Sequence, residues 1–137
     1  MIKEEAAAKL DGNEYGEEGS SELFNAMKAA GLVAVYGASD DLMEFSGAIR
    51  DEVGCYNGGI AHLTSKGLLA NECESDDCPH FAKAKAAAAT VTAKWCEEDG
   101  ISWTYETKIP HATFIIKEDG DTYCRGIVFA LADVPAA

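Results

Sequence analysis

The tetrapeptide Glu118-Asp119-Gly120-Asp121 lies between two runs of alternating character, Ala112 to Lys117 and Thr122 to Leu131. Asp-Gly in that setting is a strong hairpin signal, because a two-residue turn that matches the twist of its strands needs positive φ at both central positions. An antiparallel pair near the end of the sequence is therefore the firmest constraint on the fold. Just upstream, Ile101 to Thr107 alternates in the same way and adds a third strand.

Earlier in the chain the period changes. Ile2, Ala6 and Leu10 recur at helical spacing, with Glu5 and Lys9 one turn apart, which predicts a short helix over 2–10. Gly12, Gly16 and Gly19 among acids mark a loop. Ser20 or Ser21 then starts a second helix through Ala30, with Leu23, Phe24 and Met27 inward and Gly31 as its stop. Leu32 to Tyr36 is an apolar run bounded by glycines and reads as a buried strand. Met43 to Ile49 alternates as a half-buried strand, Ile60 to Thr64 with Gly67 to Leu69 reads as a hairpin, and Asn71 to Asp77 reads as an exposed acidic loop.

The clearest helical period follows Pro79. Phe81, Ala84, Ala88, Val91 and Trp95 step by 3, 4, 3 and 4, which predicts one long helix from Pro79 to about Glu97, stopped by Gly100. The expected fold is α+β in a single domain over 1–137: a mostly antiparallel sheet of about six strands, one long helix packed on a face, and two short N-terminal helices.

Charge narrows the function classes. Twenty-four acids against 11 bases leave −13. Direct nucleic-acid binding draws most of its affinity from Lys and Arg on phosphates, so it is not expected, and an anionic membrane surface is disfavoured for the same reason. An acidic chain suits a basic partner surface, including the nucleic-acid groove of another protein, although solubility is the plainer account of the same charge. Asp40, Asp41 and Glu44, with Glu72, Glu74, Asp76 and Asp77, are the two acidic groups such a partner would meet. No apolar run approaches the roughly 20 residues a membrane helix needs. Met-Ile-Lys-Glu-Glu at the start has neither a basic nor an apolar leader region. A cytoplasmic protein is expected, with its five cysteines (Cys55, Cys73, Cys78, Cys96 and Cys124) reduced.

Cys73, Cys78 and His80, set among acids, are the most metal-like cluster, since thiolate and imidazole are zinc ligands. Their spacing matches no zinc finger or ribbon. Cys96 lies 18 residues beyond Cys78, roughly 27 Å along an intact helix, so a fourth ligand would have to come from Cys55, His62, His111 or Cys124. No cofactor is expected; zinc is the metal that thiolate and imidazole would suit, and the acids around them would favour any divalent cation. Asp40, Asp41 and Glu44 could hold magnesium with a phosphate substrate, but aspartates at a turn are common for their local hydrogen bonds alone.

Catalytic signatures are missing. No P-loop or GxGxxG follows a strand, and Gly37-Ala38-Ser39-Asp40 lacks the second glycine of a nucleophile elbow. The reading therefore leans against an enzyme. The aromatics Trp103 and Tyr105 share one face of the strand over 101–107, most simply as core. The alternative use of that face is a stacking platform for a nucleobase, with Arg50, Lys108 or Arg125 near the phosphates.

Four stretches carry a resemblance: Gly31-Leu-Val-Ala-Val-Tyr-Gly-Ala-Ser-Asp-Asp-Leu-Met-Glu-Phe, Asp77-Cys-Pro, Ile101-Ser-Trp-Thr-Tyr-Glu-Thr and Tyr123-Cys-Arg-Gly-Ile-Val-Phe. On these the chain resembles small acidic proteins encoded by bacteriophages and prophages, a group with no assigned activity and hence no residue roles to transfer. The resemblance implies a context, in which small phage accessory proteins block a host defence component or sequester its nucleotide signal.

The leading expectation is a non-enzymatic binding protein, of the type of a phage antagonist of host defence, whose acidic surface engages a basic groove on a host protein. The second is a sponge for a small nucleotide signal, working as a homo-oligomer through Arg50, Trp103, Tyr105, Lys108 and Arg125. A metal-dependent hydrolase comes third.

Overall fold

In chain order the described elements are α1 (Lys3–Leu10), α2 (Ser21–Ala29), β1 (Leu32–Ala38), β2 (Gly58–His62), β3 (Thr92–Cys96), β4 (Ser102–Glu106), β5 (His111–Glu118) and β6 (Asp121–Ala130), followed by a 3-10 turn at Leu131–Asp133. They come from a computed structural model that describes residues 1–17, 21–38, 58–62, 82–83, 86–87, 90–96 and 102–134. At 21, 37–38, 58–62, 92–96, 102–104 and 123–124 it describes the backbone alone.

The class is α+β and the strands pair antiparallel. The C-terminal hairpin forms where Asp-Gly requires it. Asp119 and Gly120 take φ 51° and 86°, and Glu118 pairs with Asp121 across the turn. β6 is central, because β1 pairs along its other side to give the order β1-β6-β5.

Two features depart from the expected architecture. The described strands form two three-stranded sheets, β1-β6-β5 and β2-β3-β4, instead of one sheet of about six. The single long helix from Pro79 to Glu97 is not formed either. Residues 82–83 and 86–87 are helical, but Thr92–Cys96 is strand β3, paired on both sides, with Trp95 opposite Gly59 and Trp103. The β-branched run Thr90-Val91-Thr92 explains the switch, since such side chains lose χ1 freedom in a helix and suit a pleated surface. Thr90 ends the helical stretch by donating both its N–H (3.0 Å) and its Oγ1 hydroxyl (2.7 Å) to the Ala87 carbonyl. β2 pairs with β3 along one side, and the Gly67–Leu69 arm of the hairpin expected within 60–69 lies outside the described residues. The strand expected over 43–49 lies outside the described residues.

Both faces of β1-β6-β5 carry buried side chains. On one, α1 and α2 lay Ala6, Ala7, Leu10, Phe24 and Met27 against Leu32, Ala34, Tyr36, Phe114, Ile116 and Val128. Ala7 takes the inward place given to Ile2 above, and Ile2 is 57% exposed ahead of the first helical residue. The ion pair of α1 is Lys3–Glu4, at 3.2 Å, in place of Glu5–Lys9. On the opposite face Val33, Val35, Ile127 and Phe129 are fully buried, and each such burial contributes about 1.5–3 kcal/mol.

One irregularity sets the sides of β6. Ile116 faces Cys124 but Lys117 faces Thr122, so Tyr123 is an extra residue, a β-bulge. Beyond it Arg125 pairs with Ile115 and Gly37, which puts it on the face of Ile127 and Phe129, opposite α1 and α2.

Candidate functional site

The loop after α1 does not leave the sheet. Asp11 to Tyr15 runs alongside the outer edge of β5 as a parallel strap. The Gly12 N–H donates to the Ile115 carbonyl (2.7 Å), the Lys117 N–H to the Asn13 carbonyl (2.8 Å), and the Tyr15 N–H to the Lys117 carbonyl (2.6 Å). Two carboxylates complete the attachment. Asp11 Oδ1 accepts from the Ile115 N–H at 2.8 Å and Glu14 Oε2 from the Asp119 N–H at 2.9 Å. An edge strand presents unpaired backbone groups to solvent, and here the chain's own loop satisfies them.

This arrangement gathers acids at one end of the sheet. Asp11, Glu14 and Glu17 come from the strap and the turn after it, and Glu118, Asp119 and Asp121 from the β5–β6 turn. All six are exposed, and half-buried Lys117 of β5 is joined to Glu14 among them by a backbone bridge. None of the six was singled out from sequence, because the contact joins residues more than 100 positions apart. The local signal that existed was Gly12 and Gly16 among acids, read above as a plain loop.

A second constellation lies on the face of β1-β6-β5 opposite α1 and α2. Tyr105 in β4 and His111 at the start of β5 meet edge to face, with ring centroids 6.4 Å apart and planes at 79°. The link between them is itself ordered, as the Ile109 N–H donates to Thr107 Oγ1 at 3.1 Å. His111 Nδ1 lies 2.9 Å from the Ile109 carbonyl. A carbonyl only accepts, so Nδ1 carries the proton and Nε2 is an acceptor while the ring is neutral. Arg125 is half-buried; burial pushes its guanidinium below the ordinary value, and nearby Tyr105 acts in the opposite sense.

Of the alternative ligand set, Tyr105 and Arg125 are near enough to influence one another electrostatically, and Lys108 is exposed on the β4–β5 link. Trp103 precedes Tyr105 by two residues in β4, opposite Trp95. Arg50 lies outside the described residues. So do all the acids named from sequence, Asp40, Asp41, Glu44, Glu72, Glu74, Asp76 and Asp77, and the metal-type cluster Cys73, Cys78 and His80. Among the described residues no three His, Cys, Asp or Glu side chains gather to hold a metal ion, and no helix is long and apolar enough to cross a membrane.

Comparisons with protein-family models, with curated proteins and with solved structures found no match.

Proposed function

We propose that this is a non-enzymatic binding protein whose acidic surface engages a basic surface of a partner protein, in the manner of a phage-type antagonist of host defence. One observation carries the reading: exposed carboxylates from two distant parts of the chain are brought to one end of the sheet, where Glu14 of the strap bonds the β5–β6 turn. Exposed charge of one sign steers a partner of the opposite sign and fixes register more than it adds raw affinity. The net charge of −13 extends the same field over the rest of the molecule.

The natural target of such a surface is the groove where a host protein holds nucleic acid, because that groove is basic to match phosphate. The experiment is displacement. The protein is immobilised, exposed to bacterial extract at low salt, and the captured basic protein is tested for binding to duplex DNA or RNA with and without the free acidic protein. Competition that disappears at high salt supports the reading. Simultaneous binding of nucleic acid and this protein would sink it.

A second reading rests on the neighbourhood of Tyr105 and Arg125. An aromatic ring beside a half-buried guanidinium suits a nucleobase and its phosphate, as in a nucleotide sponge. Heat denaturation of protein recovered from challenged cells should then release a small ultraviolet-absorbing anion, and Arg125→Ala should recover without it.

A further inference from the structure

The strap over β5 is held differently from the rest of the fold. Every residue from Asp11 to Glu17 is exposed except Asn13, which is half-buried, and Tyr15 is 57% exposed. No side chain of this segment joins the core. Its attachments to β5 and the β5–β6 turn include the three backbone bonds and two exposed carboxylate bonds described above, and Asn13 ties it to the end of α1 through the Leu10 and Lys9 carbonyls. Beneath it, β5 is anchored by Phe114 and Ile116, which are 2% and 0% exposed. Segments with few apolar contacts and solvent-exposed hydrogen bonds open locally at a small fraction of the global cost. The strap is such a segment, and the strand under it is not.

Its opening would leave a strand edge with a defined hydrogen-bonding pattern. Ile115 and Lys117 turn both N–H and C=O toward the strap. By the alternation of an antiparallel ladder, Thr113 presents its groups to the same side. The strap begins at Ile115, so exposed Thr113 already lies beyond it. The same edge is flanked by Glu17, Glu118, Asp119 and Asp121, whose charge an incoming basic segment would neutralise.

We infer that the Asp11–Tyr15 strap is displaceable, and that the partner engages by adding an extended, Lys- or Arg-bearing segment to the β5 edge in its place. Main-chain hydrogen bonds then supply affinity, and the surrounding carboxylates select a basic strand. Asp11 and Glu14 act as latches. Each holds a β5-side backbone N–H in the closed state, and each is released to pair with an incoming cation as the strap leaves.

The inference rests on the acidic-surface reading, and one experiment separates their failures. Amide hydrogen exchange is followed in the intact protein, alone and with an eight-residue peptide alternating lysine and valine at low salt. Without peptide, the amides of Ile115, Lys117 and Asp119 should exchange about tenfold or more faster than those of Phe114 and Ile116, which point toward β6. With peptide, Ile115 and Lys117 should become protected while Gly12 and Tyr15 lose protection. Peptide binding that leaves the Gly12 and Tyr15 amides unchanged overturns strand addition and leaves the charge reading standing. Failure of the peptide to bind at all overturns both. Asp11→Ala with Glu14→Ala should raise exchange at Ile115 and Asp119 without changing Ile127 or Phe129, and an unchanged pattern would contradict the latch.

Discussion

Tyr36 and Phe114 meet edge to face across a strand that has no side chain to part them. Their ring centroids are 6.0 Å apart and their planes lie at 78°. Gly126 of β6 sits between them in register. A Cβ on Gly126 would come within 2.5 Å of Tyr36 Cβ, 2.5 Å of the Val35 carbonyl oxygen and 2.6 Å of Phe114 Cζ. Two of those three atoms belong to backbone or side-chain stem and cannot swing aside.

Gly126→Ala should therefore destabilise by about 3 kcal/mol, the upper end of ordinary overpacking. Adding Phe114→Leu to that variant should recover less than half of the loss, since Tyr36 Cβ and the Val35 carbonyl remain. Chemical denaturation checks both. A cost below about 1 kcal/mol for the single change would mean that the strands separate easily at this point.

Gly120→Ala should cost about 1–2 kcal/mol, the penalty of forcing a Cβ into the left-handed region, because Gly120 sits at φ 86° in the two-residue turn. Asp119→Asn should be neutral, as asparagine accepts the φ of 51° equally well. Thermal unfolding of the pair checks the turn, and equal losses in both variants would contradict it.

The contact between Tyr105 and His111 connects the two sheets. A double-mutant cycle with Tyr105→Leu and His111→Leu should show a coupling of about 0.5–1.5 kcal/mol, as for other edge-to-face pairs. Additive losses would mean that the two rings stabilise the sheets independently.

At the start of α1, its own backbone N–H and the Lys3 ammonium hold the Glu4 carboxyl below its usual range. A carboxyl depressed in the folded state contributes stability that is present above its unfolded value and lost as pH falls through the folded one. The Glu4 carboxyl carbon should accordingly titrate below the ordinary glutamate range by NMR, and the helix amides should respond over that same acid interval. A midpoint at or above the ordinary range would contradict the contact.

Local signals carried much of the sheet around β6. Asp119-Gly120 marked its hairpin, and the run from Leu32 to Tyr36 between glycines marked β1. What escaped was set by tertiary context. The seam from Phe81 to Trp95 has helical spacing, yet residues 92–96 pair with β2 and β4, because partners on both sides outweigh a weak local period. Arg125 shows the same limit within one hairpin. Counting back from the turn without a bulge pairs Arg125 with Phe114 and points it at the helices. The extra residue Tyr123 shifts the pairing to Ile115 and turns Arg125 to the opposite face, beside Tyr105. A single-residue slip inverts every side chain after it, and nothing in the sequence marks this one. The acidic end was hidden for a related reason, since its two halves are far apart in the chain and meet only through the strap.

The most direct measurement is the association rate with the captured basic partner, followed across ionic strength, for the wild type and for Glu17→Lys/Glu118→Lys/Asp121→Lys. These three carboxylates are exposed and accept no hydrogen bond that holds the strap, so the fold should stay intact. Steering by exposed charge raises association by about tenfold or more at low salt and is screened over roughly 8 Å at physiological ionic strength. The wild type is expected to associate fast at low salt and to slow steeply as salt is added, whereas the reversed variant starts at least about tenfold slower and changes little. Equal rates and equal salt slopes for the two proteins would contradict an acidic end that finds a basic partner.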